Sequence, residues 1–175
     1  MVLGAAGAAA ADVHREAASA AGVPIHRRRG GGGTVLLTPG QVVVALVTEV
    51  EHPYRNRAYA RAINDWFIDA LRCCGVGGVE QRGISDLAIG DRKISGSSVF
   101  RRRRLLFFQA SLLVNNDPAE FERYLAYPVR VPEYRRGRSH REFCTTLAAA
   151  GHALSVAQVR AVLHAVVAER LPELR

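Results

Sequence analysis

Lysine is almost missing from this chain. Of its 24 lysine and arginine residues only Lys93 is a lysine. Cysteine is scarce too, and Cys73, Cys74 and Cys144 cannot build a disulfide framework. Adjacent Cys73 and Cys74 lack the spacing of a zinc knuckle, and neither CxxC nor HExxH occurs, so no metal site made by side chains is expected. No stretch approaches the ~20 uninterrupted apolar residues of a membrane span. The alanine-rich opening, Ala5 to Ala11, has no basic leader and runs straight into Asp12. It does not read as a signal peptide, and the cytoplasm is the expected location. Gly78 to Gly83 has the GxxxxG spacing of a phosphate loop, but Ile84 stands where that loop needs lysine. No GxGxxG follows a strand.

The 175 residues, 49% hydrophobic and 23% charged, suit one soluble domain spanning 1–175. A net charge of +8 implies acidic partners: nucleotide phosphates, an acidic protein or nucleic acid.

Helical signals occur in five places. Asp12 reads as the N-cap of a helix reaching Ala21. From Arg57 to Cys74 the apolar residues Tyr59, Ile63, Trp66, Phe67, Ala70 and Leu71 recur at helical spacing. Asp117-Pro118-Ala119-Glu120 reads as an N-cap, an N1 proline and an early acid. Ser139-x-x-Glu142 and Ser155-x-x-Gln158 are capping boxes, the second opening a helix with Val159, Leu163, Val166 and Val167 on one face. Strands are expected at 23–27, at 34–37 and 42–47 as a hairpin about Thr38-Pro39-Gly40-Gln41, at 85–89 and 94–100 about Gly90-Asp91-Arg92, and at 104–114. Consecutive hairpins with helices before and after predict an α+β fold: a mixed, largely antiparallel sheet with helices packed on it.

Two segments have the composition of a ligand site. Arg27-Arg28-Arg29-Gly30-Gly31-Gly32-Gly33-Thr34 is a glycine loop between strand patterns. Its backbone can approach a ligand closely and its N–H groups can line an anion site, with arginines adding charge. Lys93-Ile94-Ser95-Gly96-Ser97-Ser98 places the lone lysine at the start of a strand. Gly96 leaves room there for a substrate, and a compact ammonium suits developing charge on a phosphate or carboxyl.

Together these segments resemble the lipoate–protein ligase A family. Arg27-Arg28-x-x-Gly31-Gly32-Gly33-Thr34-Val35 is similar to its RRxSGGGxV motif, and Lys93 to Ser98 to its KxxGSA motif. Ser85-Asp86-Leu87 resembles the family's Asn-Asp-Leu, and Ala110 to Asn115 its Gly-Thr-Leu-Leu strand. The resemblance implies a class II synthetase or biotin–lipoate ligase-like core. It also implies a reaction in which lipoate or octanoate is activated by ATP and Mg2+ to an acyl-AMP and passed to a lysine. The implied acceptor is an acidic lipoyl domain or a glycine-cleavage H protein. Lys93 takes the implied catalytic position. Arg28, Gly31, Gly32, Gly33, Thr34, Asp86, Gly96, Ser97 and Ser98 take the substrate- and nucleotide-binding positions.

The sequence departs from the family in several places. Leu37-Thr38 stands where the family has His-Asp, Gly30 replaces the motif's serine, and Gln109-Ala110-Ser111 replaces His-Gly-Thr. The usual N-terminal segment is missing, which makes Met1 to Gly4 an internal strand of a shortened catalytic domain. The accessory C-terminal domain is missing as well, which points to a separate accessory subunit. Two rival readings remain. An octanoyl- or lipoyltransferase using a thioester donor would need a cysteine beside Lys93, where none of the three thiols is expected. A nucleic-acid-binding protein would use Arg101-Arg102-Arg103-Arg104, otherwise a basic turn joining two strands.

Overall fold

The structure, a computed structural model, describes residues 1–52 and 54–174. Its arrangement follows from the strand Leu105–Leu113, in which Leu106, Phe108, Ala110 and Leu112 alternate to one face and are buried. Two-residue periodicity sends the intervening residues to the opposite face. In chain order the strands are β1 (Val2–Leu3), β2 (His26–Arg27), β3 (Gln41–Glu49), β4 (Val79–Arg82), β5 (Asp86–Ile89), β6 (Arg92–Arg102) and β7 (Leu105–Leu113). The last five form one antiparallel sheet in the order β3-β7-β6-β5-β4, while β1 and β2 pair in parallel beside it. The expected α+β class, with a largely antiparallel sheet and packed helices, is observed.

The helices are α1 (Ala9–Asp12), α2 (Arg15–Ala20), α3 (Asn56–Cys73), α4 (Ala119–Tyr124), α5 (His140–Phe143) and α6 (Val156–Arg170). The 18 residues of α3 bury Tyr59, Ile63, Trp66, Phe67, Ala70 and Leu71, the same face that the spacing picks out. With α6 they cover the inner face of the sheet and enclose the main core, where Phe67 meets Phe108 edge-to-face at 6.0 Å. The outer face carries a smaller cluster of Met1, Leu3, Val13, Leu36, Phe121, Tyr124, Leu125 and Phe143, seated on Leu113. Both expected capping boxes form, at Ser139 and Ser155. The Asp117 side chain accepts the Ala119 amide at 2.8 Å, as a cap should. No helix among the described residues is long and apolar enough to cross a membrane.

Four local expectations are corrected. Residues 34–37 form no hairpin with 42–47: Val35 bridges Val2, and β3 pairs along its whole length with β7 instead. Nine paired residues in the apolar β3–β7 ladder outweigh one favourable turn. Of the helix expected from Asp12 to Ala21 only Arg15–Ala20 forms, while Ala9–Asp12 is a separate turn and Val13 between them is extended and bridges Leu125. Asp12 ends α1, and its carboxylate accepts a hydrogen bond from Thr34 at 2.8 Å rather than capping a helix. The strand expected at 23–27 shrinks to His26–Arg27. A strand also forms at Val79–Arg82, where spacing suggested only a failed phosphate loop.

Candidate functional site

The glycine loop is tied down from behind by its own arginines. Arg28 Nη2 donates to the carbonyls of Gly31 and Gly33, both at 2.7 Å, and its Nη1 to Val2 at 3.2 Å. Arg27 Nη1 donates to the carbonyls of Gly4, Ala5 and Gly7. Burial lowers the Arg28 pKa below the ordinary arginine value. The carbonyl of Gly30 accepts the Ala5 amide. In a trans peptide the carbonyl and the following N–H point in opposite directions. Turning the carbonyls of Gly30, Gly31 and Gly33 inward therefore turns the amides of Gly31, Gly32 and Thr34 away from them. Among the described residues, the amides from Gly31 to Thr34 donate to no protein acceptor. A run of unspent amides is an anion-binding concavity. The loop also needs Gly4, because a Cβ there would overlap the carbonyl oxygen of Gly32.

The loop faces a cleft of about 290 Å³ lined by Gly31, Gly32, Ser97, Ser98, Ser85, Ile84, Val99 and the start of α3, Asn56, Arg57 and Ala60. The cleft exists because β5 is shorter than β6. Pairing stops at Asp86 opposite Gly96, so β6 runs on from Ser97 with that edge open. Ser85 and Ser97 close the end of the ladder by donating to each other's carbonyls at 3.1 and 3.2 Å. Asn56 Oδ1 is buried without a partner at the cleft wall. The two motifs singled out in the sequence, at 27–34 and 93–98, thus share one cavity.

Lys93 reaches this region through a β-bulge. In a regular strand residues three apart lie on opposite faces. Here Lys93 pairs with Ala88 and Ser95 with Leu87, leaving Ile94 as the extra residue. Ile94 and Ser95 both turn into the core, at 0% and 3% exposure, so Lys93 and Gly96 share the outer face. The Lys93 side chain then lies across Gly96, where any Cβ would come within 2.7 Å of Nζ. Nζ pairs with Asp86 Oδ1 at 2.7 Å. Asp86 Oδ2 accepts the Tyr134 hydroxyl at 2.9 Å. Burial, with the Asp86 carboxylate next in weight, pushes the Tyr134 pKa far above the ordinary phenol range.

Of the anticipated residues, Gly31, Gly32, Ser97 and Ser98 line the cleft, and Asp86, Lys93 and Gly96 form the adjoining cluster on the same strands. Arg28 braces the loop from behind, and Gly33 and Thr34 continue it without lining the cleft. Tyr134, Asn56 and Arg57 carry no motif, and sequence reasoning missed them. A Pro132 start and a left-handed Arg136-Gly137 turn mark a tight excursion around Tyr134, but nothing local says which carboxylate it meets.

One expectation about cysteine is overturned. Cys144 lies just beyond α5 and bridges Lys93 in parallel, with the Thr145 amide donating to the Lys93 carbonyl at 2.9 Å. Chain segment 144–148 continues beside the end of β7, a long-range placement that helix spacing cannot reveal. The thiol is 7% exposed, and burial raises its pKa. Cys73 is exposed and Cys74 half-buried at the far end of α3. His140, at the start of α5, has its pKa pushed down to about 4, first by burial and then by Arg135. Among the described residues no group of three or more His, Cys, Asp or Glu side chains is placed to hold a metal.

Arg101 and Arg102 end β6, and Arg103 and Arg104 make the turn into β7, with Arg103 left-handed at φ 56°. They are the strand-joining turn expected of them, and Arg101 lies over the exposed Tyr54 ring.

Comparison with known proteins gives one consistent picture. A lipoate-protein ligase A-type protein of Aeropyrum pernix is 32% identical over 115 residues, covering 64% of this chain and 41% of that protein. The chain thus spans about two fifths of the length of this curated relative. The bi-partite lipoate protein ligase of Thermoplasma acidophilum, solved in work on an archaeal lipoylation system with its E2 lipoyl domain, superposes with a TM-score of 0.82. It is 23% identical, with 98% of this chain and 67% of that one covered. A lipoate-protein ligase A bound with ATP gives a TM-score of 0.82 at 22% identity over 98% and 68%. At these identities the structures establish a shared fold. The sequence model of the lipoyl protein ligase A/B catalytic domain matches residues 1–168, and the chain belongs to that family.

Proposed function

We propose that this chain is the catalytic domain of a lipoate–protein ligase, occupying 1–175 and acting in the cytoplasm. The observation that carries the reading is the convergence of the free glycine-loop amides and the Lys93 strand on one cleft. In the first half-reaction a carboxylate oxygen of lipoate or octanoate attacks the α-phosphorus of ATP. Acyl-AMP forms and pyrophosphate leaves with the electron pair of the broken bond. In the second, an acceptor lysine amine attacks the acyl carbon, AMP leaves, and the amine loses its proton.

The amides of Gly31, Gly32, Gly33 and Thr34 suit phosphate oxygens, with Arg28 holding the loop in shape. Ser97 and Ser98 supply further polar contacts along the open edge of β6. Lys93 stabilises the negative charge that develops on phosphate and carbonyl oxygens in both steps. Gly96 leaves the ammonium room, and Asp86 holds it until substrate competes. Mg2+ would arrive with the nucleotide, since it needs only one or two carboxylates beside phosphate oxygens. The acceptor we propose is an acidic lipoyl domain or H protein, suited to a chain of net charge +8, with an accessory subunit assisting adenylation.

A thioester-using transferase is the second reading, favoured by the placement of Cys144 beside Lys93. Its burial and raised pKa argue for an inert thiol, because the thiolate is the nucleophile. The test is intact mass of an apo lipoyl domain after incubation with the chain, ATP, Mg2+ and lipoate or octanoate. The assay is repeated with an acyl carrier protein donor and with Cys144→Ala. ATP-dependent acylation that survives Cys144→Ala supports the ligase. Acylation only from the carrier, lost with Cys144, overturns it.

A further inference from the structure

Beyond the motifs, one segment is fastened to the β5–β6 hairpin by an unusual density of guanidinium bonds. Residues 132–144 leave the body at Pro132, make a 3-10 turn over Glu133–Arg135, reverse through left-handed Arg136 and Gly137, and enter α5. Arg138 donates to Asp91 Oδ2, to the Asp91 carbonyl and to the Tyr134 carbonyl, each at 2.8 Å. Arg92 reaches in the other direction, donating to the carbonyls of Arg141 and Cys144 at 2.9 and 2.7 Å. Arg135 and Arg138 exchange side-chain-to-carbonyl bonds at 2.8 and 3.0 Å. The strap is therefore indexed to the turn that precedes Lys93.

What the strap delivers is the Tyr134 side chain. Its ring packs on Phe143 at 5.0 Å between centroids and covers Gly83, whose Cβ would touch it at 3.4 Å. Its hydroxyl meets Asp86 Oδ2 while Oδ1 holds Lys93, so each carboxylate oxygen has one duty. A carboxylate bound through one oxygen only can rotate about its last torsion and swing its charge away from the ammonium. Binding both oxygens removes that freedom. The geometry points to Tyr134 as a positioning residue that sets the direction of the Lys93 ammonium by fixing the Asp86 carboxylate. Tyr134 does not line the cleft. This inference rests on the proposed role of Lys93 only for its effect on turnover.

Lys93 is the sole lysine of the sequence, which supplies a readout independent of catalysis. The amines of the chain are Lys93 Nζ and the N-terminus, the latter held by the Pro24 carbonyl at 2.6 Å. Limiting acetylation with an N-hydroxysuccinimide ester, read by peptide mass, gives the Lys93 rate relative to the N-terminus. Tyr134→Phe keeps the ring and removes the hydrogen bond. It is expected to raise that ratio about fivefold, and to lower kcat for acyl attachment about tenfold with each KM within about twofold, as losing a hydrogen bond to a charged group allows. In an Asp86→Asn background the same change should add nothing to the labelling ratio, because Tyr134 acts through that carboxylate. If Tyr134→Phe does not fold, Arg138→Met, which unties Tyr134 from Asp91, carries the same labelling expectation. A ratio unchanged from wild type, or equal increases with and without Asp86, overturns the inference. Should the wild-type chain attach no acyl group even from preformed lipoyl-AMP, which bypasses any accessory subunit, the ligase reading fails while the labelling cycle still decides the role of Tyr134.

Discussion

The two faces of the β3-β7-β6-β5-β4 sheet are made from the same strands and serve different ends. The inner face is regular. Alternating Val42, Leu46, Leu106, Phe108, Leu112 and Leu87 meet α3 and α6, and nearly all are sealed from water. The outer face is irregular. It holds polar Asp86 and Lys93, turned outward by the bulge at Ile94, and a small apolar cluster assembled from short elements. Packing of apolar side chains rewards completeness, whereas a site needs room, unspent donors and charge. Concentrating stability on one face leaves the other free to carry the defects that chemistry requires.

If that division is right, changes on the two faces should separate stability from turnover. The largest effect is expected at Phe67, fully buried and in contact with Phe108. Phe67→Ala should cost about 3–5 kcal/mol of stability in denaturant unfolding, as large-to-small core changes do. Acyl attachment per folded molecule should stay near wild type. A specific loss of turnover in the folded fraction would break the comparison.

Next, Lys93→Ala should remove about 3–4 kcal/mol of transition-state stabilisation, measured as kcat/KM, with thermal unfolding unchanged. Lys93→Arg should fail as well, since a planar fork does not replace a point charge over Gly96. A large fall in melting temperature would instead make the Asp86 ion pair structural.

Arg28→Met should release the carbonyls of Gly31 and Gly33, weakening ATP binding by about 1–3 kcal/mol in calorimetry while the main core is unaffected. Equal loss of ATP affinity and of unfolding stability would show that the glycine loop belongs to the stable body.

A smaller effect separates the faces by pH. His140, on the outer side, has a pKa of about 4 against its ordinary 6.5, so the fold holds it neutral. The unfolded chain then binds the extra proton below 6.5, and stability falls as pH drops from 6.5 to about 4. The loss is on the order of 1–2 kcal/mol once solvent screening is allowed for. His140→Gln should flatten that limb in unfolding experiments, and an unaltered limb would rule His140 out as its source.

The smallest change is at the turn. Replacing Arg101, Arg102, Arg103 and Arg104 with Ser should leave stability within about 1 kcal/mol. The salt dependence of acceptor binding should flatten. Collapse of adenylate formation would move these arginines into the nucleotide site.

Local pattern was enough for much of this molecule. The period of α3, the two capping boxes, the β5–β6 hairpin and the long β7 strand all form where the residues indicate. Each depends on neighbours a few positions apart. The glycine run and the lone lysine were visible for the same reason, as departures from the surrounding composition. Everything that depends on contacts distant in sequence came from tertiary structure. β3 abandons its turn-mate for a ladder with β7, and Val13 leaves a helix to bridge Leu125. Cys144 arrives beside Lys93, and Tyr134 meets an aspartate 48 residues away. The bulge that turns Lys93 toward Gly96 is set by pairing register, which one strand read alone does not contain. Residue types capable of the chemistry were written locally, but their distances and directions were decided by which strands paired and which faces closed.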